Sequence, residues 1–78
     1  MTLVLVTREG CHLCDRALET LRELGHEPEL ADVDADDGLH DLYDWRVPVV
    51  LVDGNVIAEG KIDRRALERG LKEAGHSP

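Results

Sequence analysis

Near its N-terminus the chain passes from an unbroken apolar run, Leu3-Val4-Leu5-Val6, through the polar stretch Thr7-Arg8-Glu9-Gly10 into a segment patterned differently. An apolar run without polar alternation reads as a strand covered on both faces, so Leu3 to Val6 is expected at the centre of a sheet. In the next segment apolar or sulfur side chains recur at Cys14, Ala17, Leu18, Leu21 and Leu24, with Asp15, Arg16, Glu19, Arg22 and Glu23 between them. That spacing makes one amphipathic helix. Gly25 supplies its left-handed stop, and Pro28 prevents continuation. A buried strand feeding an amphipathic helix needs a sheet with helices packed on it.

The remaining segments extend this pattern. Glu29 to Val33 is a weaker strand, and the acidic stretch Asp34 to Asp37 offers N-caps for a short helix carrying Leu39, Leu42 and Tyr43. Val49 to Val52 and Val56 to Ala58 flank Asp53-Gly54, a dipeptide suited to the two positive φ angles of a type I′ hairpin turn. Asp63 is placed to cap a last helix whose stripe is Ala66, Leu67, Leu71 and Ala74, with Ile62 and Leu67 as a hydrophobic staple and Gly75 as its end. The order is βαβα, then a ββ hairpin and a terminal helix. No linker or repeat interrupts it, so residues 1–78 are expected to form one α/β domain.

Composition narrows the function. With no Phe, one Trp and one Tyr, the core falls to Leu, Val, Ile and Ala, and no aromatic platform for stacking bases exists. A formal charge of −8 repels phosphate backbones and anionic membranes, so neither nucleic acid nor membrane is an expected partner. The Thr2 to Val6 run is too short for a span, lacks a basic lead and meets charge at Arg8 and Glu9. A cytoplasmic monomer is expected. In a reducing compartment, two cysteines spaced Cys-x-x-Cys in a βαβ setting read as a redox pair, and a staple closing so short a loop would constrain the unfolded chain little.

Cys11 falls where the buried strand meets the first helix, and unpaired N–H groups with the positive end of the helix dipole favour a thiolate there. It is the expected nucleophile. Cys14, one turn further on the same face and part of the apolar stripe, is the expected resolving thiol, more buried and with the higher pKa. His12 and Leu13 separate the two sulfurs, and the imidazole is placed to tune the Cys11 thiolate by hydrogen bonding or charge. Pro48 opens the third strand, where proline is tolerated and a cis peptide is accessible.

With Cys11-His12-Leu13-Cys14, Arg46-Val47-Pro48, the following strand and the Asp53-Gly54 turn together, the chain resembles the glutaredoxins over essentially its full length, and more loosely all thioredoxin-fold redox proteins. The resemblance implies a thioredoxin-like fold with a four-stranded mixed sheet, the first two strands parallel and the hairpin strands antiparallel. It implies a cis Pro48 facing Cys11, and a Val47 backbone that pairs with a bound thiol peptide. Arg8 stands at the spacing where glutaredoxins often carry a lysine for the carboxylate of glutathione, and its fork suits a carboxylate. The family usually has Pro-Tyr between the cysteines, Thr before Val-Pro and Gly-Gly-x-Asp-Asp after the fourth strand. Gly60 and Asp63 match that last motif only after an insertion. The implied activity is thiol-disulfide exchange, without a bound cofactor. Its reductant is glutathione or another low-molecular-weight thiol such as mycothiol or bacillithiol, and disulfide-containing proteins are partners. Arg8, Arg46 and Lys61 together would form a cationic rim for an anionic thiol.

Blander readings stand beside these. The cysteines could be an inert buried pair, part of a zinc site, or ligands of an iron-sulfur cluster shared between subunits, the non-enzymatic alternative. His26, His40 and His76 show no finger-like pairing and are expected to be solvated, so no metal ligands are assigned. Asp32 to Gly38 begins like a calcium loop but has Asp37 and Tyr43 where such a loop needs Gly and Glu, so it reads as a connection and helix cap. Trp45 either lines the site beside Arg46 or plugs the core, and for a lone Trp in so small a chain the core is the expected place.

Overall fold

The computed structural model describes residues 2–75. Seven elements follow one another: β1 (Leu3–Thr7), α1 (His12–Glu23), β2 (Glu29–Asp32), α2 (Asp37–Tyr43), β3 (Val49–Val52), β4 (Asn55–Glu59) and α3 (Arg64–Glu73). The sheet order is β2-β1-β3-β4, with β1 parallel to β2 and antiparallel to β3, and β3 antiparallel to β4. The apolar run of β1 therefore does lie inside the sheet, and the sheet is mixed.

Side chains alternate across this sheet and build two cores. On one face Leu3, Leu5, Val50 and Val52 meet Ala17 and Leu21 of α1 and Leu67 and Leu71 of α3. On the other, Val6, Val33, Val49 and Leu51 are covered by Leu39 and Tyr43 of α2. The two layers are unequal, because α2 has seven residues and buries none of them fully. Each fully buried Leu or Val stabilises by roughly 1.5–3 kcal/mol, so the α1 and α3 face carries most of the fold. Leu42 and Ala66 point outward instead of joining their stripes.

Local chemistry fixes most element ends. Asp53 and Gly54 both have positive φ, 51° and 84°, as a type I′ hairpin requires. Asp63 caps α3 by accepting the Ala66 N–H at 2.7 Å, and Ile62 packs into the cluster that holds Leu67. Asp36 caps α2 by accepting the Leu39 N–H at 2.9 Å. At the end of α1, Gly25 donates to the Arg22 carbonyl and His26 to the Leu21 carbonyl, the paired bonds of a Schellman motif. That motif folds His26 back against the helix and leaves it 8% exposed, which corrects its expected place in solvent. His76 lies outside the described residues.

One irregularity sets how α3 sits on the sheet. Val50 pairs with Ala58 but Leu51 with Val56, so Ile57 is an extra residue bulged out of the ladder. Gly70 of α3 lies directly over that bulge: a Cβ there would fall 2.9 Å from the Ile57 carbonyl oxygen. The missing side chain lets the helix approach the strand.

Candidate redox site

Strand directions gather the sequence-selected residues at one end of the sheet. β1 ends there at Thr7, β3 begins there at Val49 after Pro48, and β4 ends there at Glu59 before Gly60. The helix α1, which follows β1, starts from that same end with Cys11 as its N-cap. Gly60, with φ 72°, donates its N–H to the Pro48 carbonyl at 2.8 Å and ties the strand openings together. The Val47–Pro48 peptide is cis, and Pro48 is fully buried. Asp63, by contrast, spends its carboxylate on capping α3.

The cysteine loop is built by a tight turn. The Cys11 N–H donates to the Arg8 carbonyl at 3.2 Å, and Gly10 between them has φ 77°, the geometry a type II turn reserves for glycine at its third position. Cys11 is then the N-cap of α1, with extended backbone angles of −90° and 107°. Its Sγ accepts the Cys14 N–H at 3.1 Å, taking the place of a capping oxygen. A sulfur at this position also faces the positive end of the helix dipole. Cys11 and Cys14 are joined as a disulfide, with Cα atoms 5.2 Å apart. Cys14 is 1% exposed whereas Cys11 is half-buried, so a reagent from solvent meets Cys11 first.

The residues between the cysteines face outward. Leu13 is 41% exposed, and His12 occupies the first helical position with its ring in no hydrogen bond to the described residues. In this disulfide form the imidazole does not support Cys11 by hydrogen bonding.

Arg8 and Arg46 do not present the free cationic rim expected of them. Arg8 donates from Nε and Nη2 to both carboxylate oxygens of Asp34, at 2.8 and 2.9 Å. It also bonds the Asp44 carboxylate and, at 3.2 Å, the Asp44 carbonyl. Hydrogen bonds to Asp34 and then Asp44 raise the Arg8 pKa still further, and the same guanidinium holds the Asp34 carboxyl below its usual range. Arg46 pairs with Glu59 through Nε at 2.7 Å and Nη2 at 2.6 Å, and its guanidinium lies 5.1 Å from the Tyr43 ring centroid. Lys61 is exposed. Sequence reasoning missed these carboxylate partners because Asp34, Asp44 and Glu59 are remote along the chain and nothing local marks them.

Trp45 requires the plainest correction. It is 94% exposed, because the Arg46 N–H closes a turn onto the Tyr43 carbonyl at 2.9 Å and the inward places go to Tyr43 and Val47. His40 is also less isolated than expected, with Nε2 3.4 Å from the Asp44 carboxylate. Asp34, His40 and Asp44 form the one grouping of donor side chains among the described residues close enough to share an ion, and it includes neither cysteine. Arg8 already occupies it.

The profile of the Glutaredoxin-like domain (DUF836) matches residues 2–72. The chain belongs to this glutaredoxin-like family. The solution structure of target protein XcR50 from X. campestris is 33% identical, covers 99% of this chain and 100% of its own, and superposes with a TM-score of 0.81. Protein Ne2328 from Nitrosomonas europaea is 31% identical over 87% of each chain, with a TM-score of 0.75. Reduced Escherichia coli glutaredoxin, at 24% identity, covers 94% of this chain and 95% of its own and shares the fold with a TM-score of 0.61. No curated protein matches. The architecture is thus the thioredoxin-like one that the sequence motifs implied, and Cys11 and Cys14 stand in it as a disulfide-bonded Cys-x-x-Cys pair. Among the described residues, no helix is long and apolar enough to cross a membrane.

Proposed function

We propose that this chain is a thiol-disulfide oxidoreductase working through Cys11 and Cys14. The observation that carries the reading is Cys11 Sγ at the N-cap of α1, where it accepts a backbone N–H. Donation to sulfur stabilises the anion over the neutral thiol, and the helix dipole adds to it. In the reduced protein the Cys11 thiolate attacks one sulfur of a substrate disulfide, forming a mixed disulfide and releasing the other sulfur as a thiolate. The Cys14 thiolate then attacks Cys11 Sγ, releases the second substrate sulfur, and forms the disulfide described above. Two electrons pass to the substrate. A low-molecular-weight thiol, with glutathione or an analogue as the family-based reading, or a dithiol reductase returns them.

Roles divide by exposure. Half-buried Cys11 attacks and buried Cys14 resolves, while Pro48 and the Val47 backbone wall the same sheet end and Leu13 faces the incoming substrate. The test uses the reduced chain and a neutral dipyridyl disulfide, whose reduction is followed by absorbance. Cys11→Ser should slow the reaction at least about 100-fold, and Cys14→Ser should stop at a stable mixed disulfide visible by mass. Titration of the thiolate absorbance should give a midpoint below the ordinary thiol value of about 8.5. Comparable exchange without Cys11 would sink the proposal.

A further inference from the structure

Two surface hollows, one on the α2-to-β3 connection and one beside the cysteine loop, share one chemistry. The first is lined by Trp45, Leu42, Asp41, Asp44, His40 and the Glu59-paired Arg46. It adjoins the redox loop through a chain of bonds: Arg8 donates to the Asp44 carbonyl, next to Trp45, and the Arg8 carbonyl accepts the Cys11 N–H. The second hollow runs beside Cys14 and is lined by Leu18 and Leu30 together with Glu9, Asp15, Asp32 and the Asp-paired Arg8. Each offers apolar surface edged by carboxylates. Trp45 at 94%, Leu42 at 60% and Leu30 at 57% exposure leave that apolar surface uncovered.

Positive charge at this end is mostly spent. Arg8 lies between Asp34 and Asp44, and Arg46 is paired with Glu59. Arg16 and Lys61 add exposed charge, but Glu9, Asp15, Asp32 and Asp41 outnumber them, on a chain whose formal charge is −8. An anionic thiol would approach a surface of its own sign and find the carboxylate-binding fork already filled. A lysine or arginine side chain would find carboxylates beside an open indole face, the pairing that cation–π attraction rewards.

From this the geometry points to a disulfide carried on a basic polypeptide segment as the preferred substrate, with Leu42 and Trp45 as its apolar seat. This rests on the redox reading above. Cys11 and Cys14 transfer the same two electrons; the surface selects which disulfide reaches them.

The experiment compares three peptides sharing one central disulfide, flanked by lysines, by glutamates or by neutral residues, together with glutathione disulfide, on the full reduced chain. At low ionic strength kcat/KM for the lysine-flanked peptide should exceed that for the glutamate-flanked one by about tenfold or more, within the range of electrostatic steering. The gap should close as salt shortens the Debye length towards about 3 Å at 1 M. Trp45→Ala should lower kcat/KM for the basic peptide more than for the neutral one. Emission of Trp45, the chain's single tryptophan, should respond to a lysine-rich peptide without cysteine and not to its glutamate counterpart. Turnover of the neutral peptide with equal or inverted charge preference, or with glutathione disulfide the best substrate, would overturn the inference and leave the redox reading standing. Failure to turn over any of the four would remove the redox reading itself.

Discussion

Replacing Gly70 by alanine sets two opposed effects against each other. Alanine at a helix interior is favoured over glycine by roughly 0.5–1 kcal/mol through backbone entropy. Here, however, the new Cβ would meet the Ile57 carbonyl oxygen at 2.9 Å and the Ile57 Cβ at 3.1 Å. The closest obstacle is backbone, held where the bulge in β4 crosses beneath α3, so no side chain can simply swing aside. Relief requires α3 to lift from β4 or the bulge to shift, and overpacking of that kind costs roughly 1–3 kcal/mol. At mid-range values the clash wins, leaving a net loss of about 1.25 kcal/mol. In a domain of this size each kcal/mol moves Tm by about 4–8 °C, so Gly70→Ala should melt about 5–10 °C lower. Circular dichroism melts at fixed pH and redox state measure it, with Arg69→Ala on the exposed side of α3 as the control, expected within about 0.5 kcal/mol of the parent. An alanine variant as stable as the parent, or more so, would show that α3 does not need its close seat on the bulge.

Other expectations follow from the caps, charges and burial. Asp63→Ala removes the acceptor of the Ala66 N–H and should cost about 1 kcal/mol in urea unfolding, with Asp63→Ser recovering most of it. The Asp34 carboxyl has its pKa lowered chiefly by the hydrogen bonds from Arg8. Its contribution to stability is therefore fully present above the unfolded value near pH 4 and fades as pH falls through the lower folded value. Tm measured between pH 5 and pH 2.5 should accordingly fall less steeply for Asp34→Asn than for the parent, and parallel curves would contradict the pairing. Brief alkylation of the reduced chain should place a single label on Cys11, because Cys14 is 1% exposed; peptide mapping that finds Cys14 labelled first would reverse the assigned order of attack.

What could be read from the chain before its structure was whatever neighbouring residues settle among themselves. Asp53-Gly54 adopts its two positive φ angles for reasons contained in four residues, and Asp63 reaches Ala66 within a single turn. Cys11 sits at a helix start because the apolar run ends before it and the helical stripe begins after it. What escaped was decided by segments that meet only in the folded chain. Trp45 looked like core material by composition, yet Tyr43 and Val47 take the inward places around it. Arg8 looked like a ligand's anchor, and Asp34, 26 positions on, holds it instead. The burial of His26 depends on a bond to the Leu21 carbonyl that Gly25 makes geometrically reachable, a signal present in the sequence but read only as a stop. The vacancy at Gly70 answers a bulge at Ile57 that strand alternation does not reveal.

The placement of β1 inside the sheet bears on how the molecule is made. This strand leaves a ribosome before every other element, yet one neighbour, β2, begins at Glu29 and the other, β3, only at Val49. Until β3 has been synthesised one of its hydrogen-bonding edges has nothing to bind, and closing so long a loop costs entropy before the pairing forms. A nascent chain halted before Val49 would leave the β3-facing edge of Val4 to Val6 open. The setting that prepares Cys11 for chemistry is accordingly a late product of the assembled chain, absent from the peptide that surrounds the cysteine.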